Sequence, residues 1–182
     1  ASLVGSEMCI RDSLRYPVGR LHEDEFVIHK IFKQCKKVCV IENSLYFYTV
    51  RSDSIVANMS EKRIDDSLDA FMDRVKFADE NDWTEVMPAV VKRYCDYCID
   101  RYWEIKNHRY QLPSSVMDKL WGSVHDLCER YPEVDIDIKY RKFADAPDTY
   151  RKYLDDDIKK NWFKNRVMKF PRKLRRLLKN EF

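Results

Sequence analysis

Three adjacent carboxylates, Glu23, Asp24 and Glu25, stand between His22 and an apolar run in RYPVGRLHEDEF, residues 15–26. Taking a proton from an attacking hydroxyl is the simplest chemistry such a group can do. A free Asp titrates near ~4, below the working range of a good general base, and neighbouring like charges push a carboxylate upward. Glu23 and Glu25 would supply that push to Asp24. A helix N-terminus pulls the other way by stabilising the anion, and acids placed there for that reason alone contribute a few tenths to about 1 kcal/mol each. On the residues by themselves, a general base and a charged helix start both remain open. A two-carboxylate glycoside hydrolase fits less well, because its carboxyls stand about 5–9 Å apart across a bond, which neighbours on one turn do not readily supply.

The triplet has to be positioned by what surrounds it. A Pro-x-Gly turn, Pro17 to Gly19, precedes it. In EDEFVIHKIFKQC, Phe26, Ile28, Ile31, Phe32 and Cys35 fall at largely helical spacing, with acids in the first turn and Lys33, Lys36 and Lys37 towards the end. This predicts a short helix aligned with its own dipole. KVCVIENSLYFYTVR, residues 37–51, follows with two runs rich in Val, Ile, Tyr and Phe around Asn43 and Ser44, the pattern of two short strands or a hairpin. After the loop RSDSIVANMS the character changes. Ile64, Leu68, Phe71 and Val75 recur at helical steps behind Ser60 as N-cap, with Asp65 and Asp66 near the start. Further helices are expected from about Trp83 to Asn107 and from Ser114 to Arg130, the latter capped by Ser114 or Ser115 and closed before Pro132. YPEVDIDIKYRKFADAPD, residues 131–148, reads as irregular with room for a short strand.

A chain of 182 residues that is 36% charged and has three glycines suits a helix-rich body of one domain or a little more. No window approaches the roughly 20 apolar residues of a membrane span, and no signal-peptide pattern is visible. The six cysteines lack the regular spacing of a disulfide scaffold, so reduced thiols in a cytoplasmic setting are expected. Cys95 and Cys98 form a C-x-x-C pair, but VKRYCDYCIDRYWE reads as one continuous helix, which favours two thiols on one face over a metal or redox site. The stretch MCIRDS back-translates to a transposon end used in sequencing libraries. Residues 1–13 are therefore expected to be an artefact foreign to the fold, with the protein cut on its N-terminal side.

At the other end, residues 158–180 hold ten Lys and Arg and no acid, and subtracting them from the net +3 leaves about −7 on the remainder. Trp162, Phe163, Val167, Met168, Phe170, Leu174, Leu177 and Leu178 give those cations an apolar partner face, broken by Pro171. The tail suits the headgroup region of an anionic membrane, at about 1 kcal/mol per basic residue, or a terminal helix packed on the body. Nucleic acid is not the expected partner, since basic clusters and stacking aromatics are not evident elsewhere.

The order over residues 15–56 is a Pro-x-Gly turn, HEDE at His22 to Glu25, a helix, a short strand, YFY at Tyr46 to Tyr48, and Arg51 with Ser54 and Ile55. It resembles the C-terminal part of the catalytic domain of family 2 glycosyltransferases, especially bacterial enzymes that build capsular or other surface polysaccharides. The resemblance implies an α/β fragment, the C-terminal part of a GT-A Rossmann-like domain over residues 14–56. A mostly α-helical accessory domain would follow over 57–157, and the basic tail over 158–182. It further implies that Asp24, supported by Glu23, is the general base of an inverting transfer from a nucleotide-sugar donor to a saccharide or lipid-linked acceptor. His22 and Glu25 would contact substrate, and Arg51 and Ser54 would lie near the donor diphosphate, where a cation steadies the leaving group.

The family holds a divalent Mg²⁺ or Mn²⁺ with an upstream Asp-x-Asp pair. No such pair precedes His22 here. Asp135-Ile136-Asp137 and Asp155 to Asp157 come after the motif, in the wrong order, and read as solvated turns or a capped helix start. The chain is therefore expected to be inactive alone, as a piece of a cytoplasmic enzyme, peripheral on the inner face of the membrane where its tail binds. The competing expectation is a non-catalytic helical interaction or membrane-surface-binding module. His29, His108 and His125 fall in helical runs as ordinary polar positions.

Overall fold

Apolar residues at alternating steps of four and three build the longest helices. The computed structural model describes residues 14–40, 59–152, 154 and 155. Every regular element among them is helical: α1 (Ile28–Gln34), α2 (Glu61–Glu80), α3 (Met87–Lys106), α4 (Ser114–Arg130) and α5 (Ile138–Asp145), with residues 147–152, 154 and 155 helical again. The contacts divide into two compact units, one within residues 1–120 and one within 121–182.

In the first unit, α2 begins where Ser60 accepts a hydrogen bond from the Arg63 N–H at 3.2 Å, satisfying one of the free donors of the first turn. Ile64, Leu68, Phe71, Val75 and Ala78 form its buried stripe. A short connection follows, in which the Trp83 N–H bonds back to the Ala78 carbonyl at 2.9 Å and Asn81 Nδ2 donates to the Phe77 carbonyl at 2.8 Å. Pro88 then stands in the first turn of α3, where its missing N–H costs no hydrogen bond. α2 and α3 pack on each other, with Val91, Tyr94, Cys95, Cys98 and Ile99 buried on α3. Both C-x-x-C sulfurs thus lie in the core, where burial pushes the Cys98 thiol well up and away from the thiolate that redox or metal chemistry needs.

The second unit has its own core of Val124, Leu127, Tyr131, Tyr140, Phe143 and Tyr150. Trp121 Nε1 donates to the Ala144 carbonyl at 3.0 Å, and the Phe143 and Tyr150 rings meet edge to face at 5.5 Å.

The α/β expectation is overturned, because the described residues are helical and contain no strand. Val38 and Val40, which the first expected strand would bury, are 57% and 95% exposed and join no ladder. A β-branched run becomes a strand only where a partner pairs with it and covers one face. The second expected strand, around Tyr46 to Tyr48, lies outside the described residues, as do Arg51, Ser54, Asp156, Asp157, the start over 1–13 and the tail over 158–182. Residues 131–148 also differ from expectation, since α5 forms there, opened by Asp137 accepting from the Lys139 N–H at 3.0 Å. Tyr140, Phe143 and Ala144 sit three and four apart on one buried face, and their burial stabilises a helix too short to stand alone. Ser114 and Ser115 fall inside the first turn of α4 instead of capping it. His108 lies just past α3 with a left-handed φ of 57°.

Candidate functional site

The acidic triplet is not part of α1, whose first turn contains no acid. It occupies the turn before that helix. Gly19 adopts φ 77°, the left-handed conformation a Pro-x-Gly turn uses, and His22 adopts φ 57° without being glycine. The Glu25 N–H then bonds to the His22 carbonyl at 3.0 Å, and the Asp24 carbonyl accepts from Val27 at 3.1 Å and Ile28 at 3.0 Å. Asp24 Oδ1 accepts from the Glu25 N–H at 3.0 Å, and the side chains of Glu23 and Asp24 face solvent.

Charged contacts to α2 hold this turn. Asp66, almost fully buried, accepts from Arg20 at 2.8 Å, the Leu21 N–H at 2.9 Å and Lys62 at 2.6 Å. Burial alone would raise its carboxyl, but the bonds from Lys62, Leu21 and Arg20 outweigh it and hold the group at about 2. Arg74 clasps the Glu25 carboxylate, and Arg63 Nε donates to His22 Nε2 at 3.3 Å. His29, buried on α1, sits 3.1 Å from Asp73, and burial lowers its pKa against the pull of that carboxylate.

A cleft of about 240 Å³ opens between this turn, α2 and α3. His22 and Glu25 line it from the turn, Arg63, Ser67, Ala70 and Phe71 from α2, and Arg93, Tyr97, Asp100 and Arg101 from α3, so acids and cations share the lining. Ser67 and Ala70 are small enough to leave the hollow, and the Phe71 and Tyr97 rings lie 5.2 Å apart along it. The Tyr97 hydroxyl and Arg101 Nε are buried without a hydrogen-bond partner among the described residues. Burial raises the Tyr97 phenol, with the nearby Ser67 hydroxyl pulling the other way.

Of the residues singled out in the sequence, His22 and Glu25 enter the cleft, whereas Glu23 and Asp24 stand exposed between them in the chain. Arg63, Arg93, Tyr97 and Arg101 were missed. Their signal was available as Arg63 and Ser67 one turn apart on α2, and Arg93, Tyr97 and Arg101 at successive four-residue steps on α3. Among the described residues no three His, Cys, Asp or Glu side chains converge to hold a metal ion. They therefore do not fit the divalent ion that the resemblance implies, and no chemical step below runs through one. No protein-family model, curated protein or solved structure matches the chain.

Proposed function

We propose that this chain carries the acceptor side of an inverting glycosyl transfer, with Asp24 as general base and the adjoining cleft as the seat of the acceptor sugar. The observation that carries the reading is the turn itself. A left-handed His22, pinned by Arg63, and a Glu25 clasped by Arg74 hold the exposed Asp24 carboxylate between two residues that line a polar cleft. That volume, about 240 Å³, is below the about 300–1,000 Å³ of clefts for drug-sized ligands and suits one sugar ring. In the step, Asp24 takes the proton of an acceptor hydroxyl as its oxygen forms the bond to the anomeric carbon of a nucleotide sugar. The bond from that carbon to the phosphate oxygen breaks, and the nucleoside diphosphate leaves with the electron pair.

The same proposal gives the basic tail over 158–182 an anionic membrane surface as partner, which would bring a lipid-linked acceptor to the cleft. No helix among the described residues is long and apolar enough to cross a membrane. The second reading, a non-catalytic interaction module, draws on the exposed apolar side chains Ile28, Phe32 and Val86 around a hollow of about 160 Å³. Asp24→Asn in the complete gene product separates the two. Turnover of nucleotide sugars should fall by about 10²–10⁴-fold, the usual worth of a general base, with the fold intact by circular dichroism. Unchanged turnover removes Asp24 from the chemistry.

A further inference from the structure

A second hollow, of about 160 Å³, shares no lining residue with the cleft at the acidic turn. It opens between α1, which supplies Ile28 and Phe32, and the α2–α3 corner, which supplies Ala78, Trp83, Val86 and Val90. Ile28, Phe32 and Val86 are 37%, 50% and 40% exposed. Scattered singly, such side chains need no explanation, but these gather around one groove. The charged groups in its lining are already engaged, since Arg74 clasps Glu25 and buried His29 lies against Asp73 and the Phe77 ring. The two sides carry opposite charge. Residues 28–40 hold Lys30, Lys33, Lys36 and Lys37 and no acid, whereas residues 77–91 hold Asp79, Glu80, Asp82 and Glu85 and no Lys or Arg. Lys76 and Lys92 stand just outside the acidic stretch, the latter paired with Asp96. Lys30 is paired with Asp73, and Asp79 is engaged as well. Lys33, Lys36 and Lys37 on one side and Glu80, Asp82 and Glu85 on the other are exposed and make no ion pair among the described residues. The Lys33 ammonium lies 5.1 Å from the centroid of the Trp83 ring, which places the basic side at the edge of the groove.

We propose that this surface docks a second copy of the chain, the two copies meeting face to face about a two-fold axis that runs along the groove. Such an axis lays the basic side of each copy over the acidic side of the other, while Ile28, Phe32 and Val86 of both are covered together. An axis across the groove would instead set lysines against lysines and acids against acids, so charge selects the first arrangement. A partner of a single charge sign would match one side and be repelled by the other, whereas a second copy matches both. The inference names the partner of the apolar surface in the interaction-module reading and rests on that surface, whatever the chemistry at Asp24.

The test is sedimentation equilibrium of the full chain, at concentrations up to about 1 mM so that even a weak dimer is populated. The unchanged chain should dimerise. Phe32→Glu should weaken the dimer by about tenfold or more, with the fold intact by circular dichroism because the side chain is already 50% exposed. Two charge reversals then test the pairing. Lys33→Glu with Lys36→Glu, and separately Glu80→Lys with Glu85→Lys, should each abolish self-association, since like charges then meet across the axis. Mixed in equal amounts, the two reversed chains should associate with each other, because opposite charges face again. A chain that stays monomeric, a dimer that Phe32→Glu leaves intact, or reversed chains that do not associate when mixed overturns the two-fold docking. Turnover by Asp24→Asn reports separately on the catalytic reading.

Discussion

Where α3 meets α2 the buried side chains are mostly apolar, with Ile64, Val75 and Val91 at most 1% exposed. The stretch from Gly19 to Gln34 meets the same α2 largely through charge. Arg20, Lys62 and the Leu21 N–H converge on Asp66; Arg74 clasps Glu25; and His29 and Lys30 lie 3.1 and 2.8 Å from Asp73. Apolar contact is non-directional and tolerates sliding, whereas a carboxylate with three donors fixes position and orientation. The helix pair thus supplies the platform, and the ionic clamp sets the angle at which the acidic turn faces the cleft.

The comparison predicts a hierarchy of effects. Ile64→Ala should be the most damaging, at about 2–5 kcal/mol of global stability, because it opens a cavity under both helices; equilibrium denaturation would measure it. Loss of protection confined to residues 19–34 in that variant would break the distinction. Asp66→Ala should cost less, about 1–3 kcal/mol for the donors it leaves unmatched. Its increase in amide exchange should concentrate in residues 19–28, while α2 and α3 keep their protection.

Acid should act on the clamp in two windows. The Asp66 carboxyl is held at about 2, below its unfolded value. Its contribution is therefore complete above about pH 4 and is lost as pH falls through about 2. Asp66→Ala should abolish that part of the acid unfolding profile. His29 is shifted down by burial, so the unfolded chain takes up the proton first and stability declines as pH drops below about 6.5. His29→Phe should flatten this earlier decline, and a profile unchanged by the substitution would remove His29 from it. Smallest of all, Lys119→Ala breaks a pair with Asp65 at 2.6 Å whose side chains are 47% and 44% exposed. The change should stay within about 0.5 kcal/mol by denaturation, since solvent and salt screen such pairs.

Local rules carried the helical body. The spacing of Ile64, Leu68, Phe71 and Val75 predicts a buried stripe and all are buried; Ser60 predicts a cap and it accepts the Arg63 N–H. The α4 bounds, Ser114 and Arg130, also follow from the sequence pattern. Such features depend on hydrogen bonds and side-chain period within one turn or one helix, so neighbouring residues suffice to specify them.

What lay beyond local reach needed the third dimension. The Val38 to Val40 run has strand-like residues, but strand formation depends on a partner that no local pattern supplies. The acids of HEDEF look like a dipole cap, yet contacts 41 to 49 residues away, from Arg63 and Arg74, hold that turn outside α1. Asp66 resembles any acid near a helix start until folding buries it among Arg20, Leu21 and Lys62. The sequence by itself therefore determined the three long helices α2 to α4 and the apolar face of α2, through short-range period and capping, but not α5. Only the tertiary structure decided where the charges meet and that a cleft opens beside His22 and Glu25, because both arise from side chains brought together across distant parts of the chain.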